Sequence, residues 1–187
     1  ASKSEINKMG PLELKESIYK SEGRVIMGQH LIFAGPGTVM GVTNAELLCS
    51  FGADMVMLNT IDLDNFENNP GLCGLTIKEL KEKCNCPIGV YLGCPKKGEK
   101  RSDEKTLYRL AGMLATKEHI LKAVALGVDF IVLGGNPGSG TSIEDVIEAT
   151  KLVKEICGDD IFLFAGKWED GLSLIHISEP TRLLSIS

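Results

Sequence analysis

The chain has 187 residues, 43% hydrophobic and 24% charged, with a net charge of −5. That is enough for one domain with a full core. The acidic balance argues against nucleic acid or an anionic membrane surface as a partner, and no apolar run is long enough to cross a bilayer. Six cysteines without a recognisable export signal fit a reducing compartment, so a cytoplasmic location is expected.

Residues 11–19 read as a leading amphipathic helix, with Leu12, Leu14 and Ile18 apolar. Residues 24–28 (RVIMG) are the first strand candidate, and Gln29 and His30 end it. Gly35-Pro36-Gly37 marks a loop. Thr43 or Asn44 caps a helix that runs to Phe51 and stops at Gly52. The second strand is residues 55–58 (MVML), ending at Asn59, and a loop carrying Asp62 and Asp64 follows. Thr76 caps a helix over 77–83. Residues 87–91 (PIGVY) form the third strand, and a polar lysine-bearing loop covers 93–105. Thr116 caps a helix over 117–126.

Residues 125–143 (ALGVDFIVLGGNPGSGTSI) are the most informative stretch. A helix ends at Gly127, and Phe130 to Leu133 is apolar on both faces, as a strand buried in a parallel sheet should be. A glycine-rich loop then leads to a helix over 142–157, capped by Thr141 or Ser142, with Glu144 and Asp145 in its first turn. Residues 161–165 (IFLFA) are the fifth strand, ending at Gly166-Lys167.

An internal echo ties the chain together. Residues 46–59 (ELLCSFGADMVMLN) and 120–134 (ILKAVALGVDFIVLG) share one template: amphipathic helix, glycine, small residue, aspartate, four-residue apolar strand. Helices alternating with strands imply right-handed crossovers and a parallel sheet. The expected fold is α/β, a truncated (β/α)8 TIM-type barrel with about five parallel strands present. The open alternative is a doubly wound sheet, but no G-x-G-x-x-G follows the first strand. Five strands within residues 1–171 fall short of the ~250 residues typical of a closed barrel, which agrees with a partial domain there and leaves two open sheet edges.

In a barrel, functional groups sit at the C-terminal ends of strands. That rule selects Gln29 and His30, Asn59 with Asp62 and Asp64, Tyr91, the loop after the fourth strand, and Lys167. Gly135, Asn136, Gly138, Ser139, Gly140 and Thr141 form a candidate anion site, where backbone N–H groups and a helix N-terminus would face a phosphate or carboxylate. It is not a P-loop, because no G-K-[ST] closes it. A tight structural turn is the plainer alternative.

Lys167 reads as a charge partner for an anionic substrate, or a Schiff-base nucleophile. Asn59 and Asp62 would orient the substrate. Asp62 and Asp64 are solvated loop aspartates or ligands for a hard cation such as Mg²⁺; no other cofactor is indicated. His30 is an acid/base candidate or a satisfied loop histidine. Cys84-x-Cys86 with Cys94 hints at thiolate ligation, though not at the spacing of a zinc knuckle.

The segments SEGRVIMGQ, GVTNAELLCSFGADMVMLN, PIGVYL, GVDFIVLGGNPGSGTS and FLFAGK resemble, in this order, an uncharacterised bacterial family of β/α barrels. Its members carry phosphoenolpyruvate-phosphonomutase-like or haloacid-dehalogenase-like labels. The phosphonomutase and isocitrate-lyase resemblance implies a lyase or isomerase acting on a small phosphorylated or carboxylated substrate, with Mg²⁺ held by strand-end acids, the position of Asp62 and Asp64. The catalytic lysine-cysteine loop of those enzymes has only a distant echo in Cys94-Pro95-Lys96-Lys97. Asp62-Leu63-Asp64 also resembles the D-x-D of haloacid-dehalogenase-type phosphatases, with Phe66 where a Thr or Val would stand. A non-catalytic or inactive barrel fragment is the third alternative. The expected partner is a small anionic substrate, with a homo-oligomer open to the intact parent. Residues 172–187 (LSLIHISEPTRLLSIS) resemble the translation of a sequencing adapter and are expected to be a non-native tail.

Overall fold

The computed structural model describes residues 3–96, 111–135 and 141–167. Five strands form one sheet: β1 Met27–Leu31, β2 Met55–Asn59, β3 Ile88–Gly93, β4 Phe130–Gly135 and β5 Phe162–Lys167. All pairings are parallel, and the spatial order is the chain order, β1-β2-β3-β4-β5. The order never reverses, so the switch point of a doubly wound sheet does not occur among the described strands. Among the described residues, β1 and β5 each pair on one side only, as the strand count implied.

The helices are α1 Lys3–Ile6, α2 Pro11–Lys20, α3 Asn44–Ser50, α4 Ile77–Cys84, α5 Lys117–Ala125 and α6 Ile143–Cys157. Their starts follow the sequence rules. Thr43, Thr76 and Ser142 each accept from the backbone N–H three residues on, while Glu46, Glu79 and Asp145 reach back to the cap N–H. Thr116 caps α5 through the N–H of His119.

Strand residues alternate between two cores. Val56, Leu58, Ile88, Val90, Leu92, Ile131 and Leu133 pack with residues of α3, α4, α5 and α6 in the larger core. Met55, Met57, Tyr91, Phe130, Val132 and Phe162 turn to the other face, where Leu14 and Ile18 of α2 join them. On this second face Gly89 leaves room for the Phe130 ring. A Cβ on Gly89 would stand 2.2 Å from a ring carbon.

The echoed template has a physical basis. Gly52 and Gly127 take positive φ of 103° and 80°, which ends α3 and turns the chain after α5. Asp54 and Asp129 then clamp the preceding strand. Asp54 accepts from the Ile26 N–H at 2.9 Å, and Asp129 accepts from the Ile88 N–H at 2.8 Å. The amides of Asp54 and Asp129 donate back to the carbonyls of Ile26 and Ile88. Each aspartate thereby fixes the register of two strands at their entry.

The first strand begins later than the apolar run predicts, at Met27 rather than Arg24. Glu22 and Gly23 turn with positive φ, and Ile26 is held at the Asp54 clamp, so pairing starts at Met27 opposite Met55. As an edge strand β1 leaves Ile26 exposed.

Candidate functional site

The register lines up the strand ends. Leu31 pairs with Asn59, while Gly93, Gly134 and Gly166 stand side by side on β3, β4 and β5. By strand alternation the three glycines continue the Tyr91, Val132 and Phe164 row. That face is filled by rings and methionines near the strand starts and by hydrogen atoms at the ends. An added Cβ on Gly166 would meet open space, and one on Gly93 would touch Leu114 at ordinary contact distance, 3.4 Å. A glycine strip at strand tips lets another group approach the backbone closely.

Gln29 and His30, expected together at a strand tip, lie inside β1 and point to opposite faces. Gln29 is exposed. His30 is 1% exposed, level with Leu58 on the helix-covered side. Its two ring nitrogens have no hydrogen-bond partner among the described residues. Burial lowers its pKa to about 4, so the ring is neutral near pH 7. A Cβ on Gly71 would come within 2.9 Å of the His30 Nε2, so this glycine is what lets the imidazole fit.

Asn59 does end β2. Its side-chain oxygen accepts from the Thr60 N–H at 2.7 Å. Thr60 holds φ of 62°, a left-handed conformation that is costly for a β-branched residue. Its hydroxyl donates to the Asn59 carbonyl at 2.5 Å and accepts from the Phe33 N–H at 3.3 Å. The strain therefore sits at a strand tip.

Asp62 and Asp64 are placed in different surroundings. Asp62 is buried and organises its own loop. One carboxylate oxygen accepts from the N–H groups of Asp64 and Asn65, and the other from the Asn65 amide. Asn69 holds the Asp62 backbone from both sides. Asp64 faces α5, with His119 Nε2 at 3.0 Å and Lys122 Nζ at 2.9 Å. The Lys122 hydrogen bond, joined by His119, lowers the Asp64 pKa to about 2. Both carboxylates thus have protein partners, and the Lys122 ammonium and His119 ring meet Asp64 at one oxygen, Oδ1.

The glycine-rich loop meets itself at its base. A Cβ on Gly135 would lie 2.5 Å from the Thr141 side chain, so the two ends are in contact. Thr141 is buried, and Ser142, the N-cap of α6, follows directly. Asn136, Gly138, Ser139 and Gly140 lie outside the described residues, as does the segment 172–187. Lys167 pairs with Gly135 as the last register position of β4 and β5.

Two features escaped sequence reasoning. The glycine strip was legible only once the alternation of three strands was in register. The thiol grouping also differs from the expected one: Cys84 and Cys86 converge with Cys49, and Cys94 takes no part. A further cavity of about 660 Å³, bordered by Glu13, Lys20, Arg24 and Asp54, lies at the N-terminal ends of β1 and β2, away from the strand tips.

Residues 1–182 match the family described as "Domain of unknown function (DUF7916)". No curated protein matches the chain. Among solved structures, the crystal structure of an uncharacterized conserved protein from Geobacillus kaustophilus is similar at 15% identity and a TM-score of 0.43, over 95% of this chain and 80% of that one. No described helix is long and apolar enough to cross a membrane.

Proposed function

The chain belongs to the DUF7916 family, and on that premise we propose that it is part of a TIM-type β/α barrel that acts on a small phosphorylated or carboxylated substrate as a lyase or isomerase. The observation that carries this reading is the row Gly93, Gly134, Gly166 on one sheet face at the C-terminal ends. It offers a floor without side chains beside Asn59, above a layer sealed by Tyr91, Val132 and Phe164. The sequential parallel order supports the barrel, since a barrel adds each strand beside the last.

In this reading the substrate anion is held by Gly135, Asn136, Gly138, Ser139, Gly140 and Thr141, ahead of the α6 N-terminus. Lys167 offsets its charge and Asn59 orients it. Asp62 serves by shaping the loop after β2, because its oxygens already accept three hydrogen bonds. A phosphatase using Asp62 as nucleophile is disfavoured for the same reason.

The test is a thermal melt against inorganic phosphate, a phosphorylated three-carbon acid and a small 2-oxo acid. One of the three should raise the melting temperature of the wild type. The double variant Asn136→Ala/Lys167→Ala should lose that rise, and Gly166→Val should lose it while keeping the unliganded melt. An unchanged ligand shift in both variants would remove the assignment.

A further inference from the structure

We propose that Cys49, Cys84 and Cys86 form a three-thiolate site for a soft monovalent cation of the Cu(I) class, set between α3, the end of α4 and the start of β3. The three Sγ atoms lie within 4.8 Å of one another. Metal–thiolate bonds of about 2.3 Å place sulfurs about 4 Å apart around a trigonal centre. The cluster spans that distance, and its closest pair, Cys49 and Cys86 at 2.9 Å, would part by about 1 Å to bind.

The convergence is built by the backbone. Cys84 is the last residue of α4, and Asn85 takes the left-handed conformation with φ 48°. That single turn reverses the chain, so thiols two residues apart face the same point. Cys49 arrives from α3, which packs against α4.

The surroundings select the kind of cation. Cys49, Cys84 and Cys86 are 8%, 6% and 0% exposed and belong to the larger apolar core. A dry thiol pocket favours a soft, weakly hydrated ion over a hard one. Among the described residues, no histidine or carboxylate completes the group. The nearby Glu46 is engaged by the Thr43 cap and by Lys83 at 3.8 Å. Three sulfurs without a fourth ligand suit Cu(I) better than tetrahedral Zn²⁺. Contact with Cys49 raises the pKa of both Cys84, up to about 12, and Cys86, so their binding as thiolates releases protons. Packing as small apolar side chains is the ordinary role of buried cysteines; three thiols from two separate stretches of chain meeting within 4.8 Å go beyond it.

The experiment starts from a Cys73→Ser chain, which removes the exposed thiol. Reduced protein is titrated anaerobically with Cu(I) held by a chromogenic chelator. The expected result is one ion retained per chain, with a thiolate-to-copper charge-transfer band and a higher melting temperature. Cys49→Ala and Cys86→Ala should each weaken retention by about 100-fold or more, while Cys94→Ala and Cys157→Ala should not. X-ray absorption on the loaded Cys73→Ser chain should show three sulfur neighbours, a readout that stands even where a core variant fails to fold. Loss of all copper to the chelator, or equal retention in folded Cys49→Ala, overturns the site. So does a Cys49–Cys86 disulfide in protein purified without oxidant, or preferential retention of Zn²⁺ in a four-coordinate site.

Discussion

The Asp64 carboxylate stands 3.0 Å from Nε2 of His119, a residue 55 positions further along the chain. The other ring nitrogen of His119 lies 2.7 Å from the Leu114 carbonyl. One imidazole thus ties the loop after β2 to the segment that leads into α5, and Lys122 adds a second tie to the same carboxylate oxygen.

Acid should undo this link. The Asp64 pKa is lowered from 3.8 to about 2, so its contribution is fully present above pH 3.8 and disappears as pH falls toward 2. With partial exposure and screening taken into account, the link is worth about 1–2 kcal/mol. Asp64→Asn should lower stability by that amount at pH 7 and converge with the wild type near pH 2. Urea midpoints measured across this range check it, and parallel curves would refute it.

His30 should make stability fall at milder acidity. Its folded pKa is about 4 against an ordinary 6.5, so the unfolded chain takes up a proton that the native chain refuses between these values. Native stability is then highest above pH 6.5 and declines toward pH 4, by roughly 3 kcal/mol in all. His30→Leu should flatten that limb while leaving the α/β circular dichroism intact. A retained limb would place the titrating group elsewhere.

Gly89 and Phe130 should behave as one packing unit. Gly89→Ala alone drives a methyl into the ring and should cost about 2–3 kcal/mol. Phe130→Leu also destabilises alone, by leaving a gap. The double variant should cost less than the sum of the two, because each change relieves the other's defect. Additive losses in denaturant melts would show that the two positions do not share one space.

The two aspartate clamps should be unequal. Asp129 accepts from the Ile88 N–H and from Lys81 at 2.7 Å, in the middle of the sheet. Asp54 anchors only the edge strand at Ile26. Asp129→Ala should cost about 2–3 kcal/mol and Asp54→Ala about 1. Equal losses in urea unfolding would count against register control by the central clamp.

The helices were legible from their own residues, because a cap and a 3.6-residue stripe are local: of the caps the sequence offers, Thr43 rather than Asn44, Thr76, and Ser142 rather than Thr141 take the role, and the structure adds the reciprocal bonds from Glu46, Glu79 and Asp145. Strands β2 to β5 were legible from apolar runs, and the echoed glycine and aspartate flagged two joints whose partners lay out of view. The start of β1 was not, since an apolar run carries no register; the partner strand and the Asp54 clamp set it.

By itself the sequence determined the alternation of helix and strand, the caps, and the parallel α/β class, all of which depend on neighbours within a few residues. Only the tertiary structure decided which distant groups meet. It separated Gln29 from His30 by the pleat, gave Asp64 to His119 and Lys122, aligned Gly93 with Gly134 and Gly166, and brought Cys49 rather than Cys94 to Cys84 and Cys86. Those meetings depend on strand register and helix packing, which are settled by the whole fold and written in no single stretch of chain.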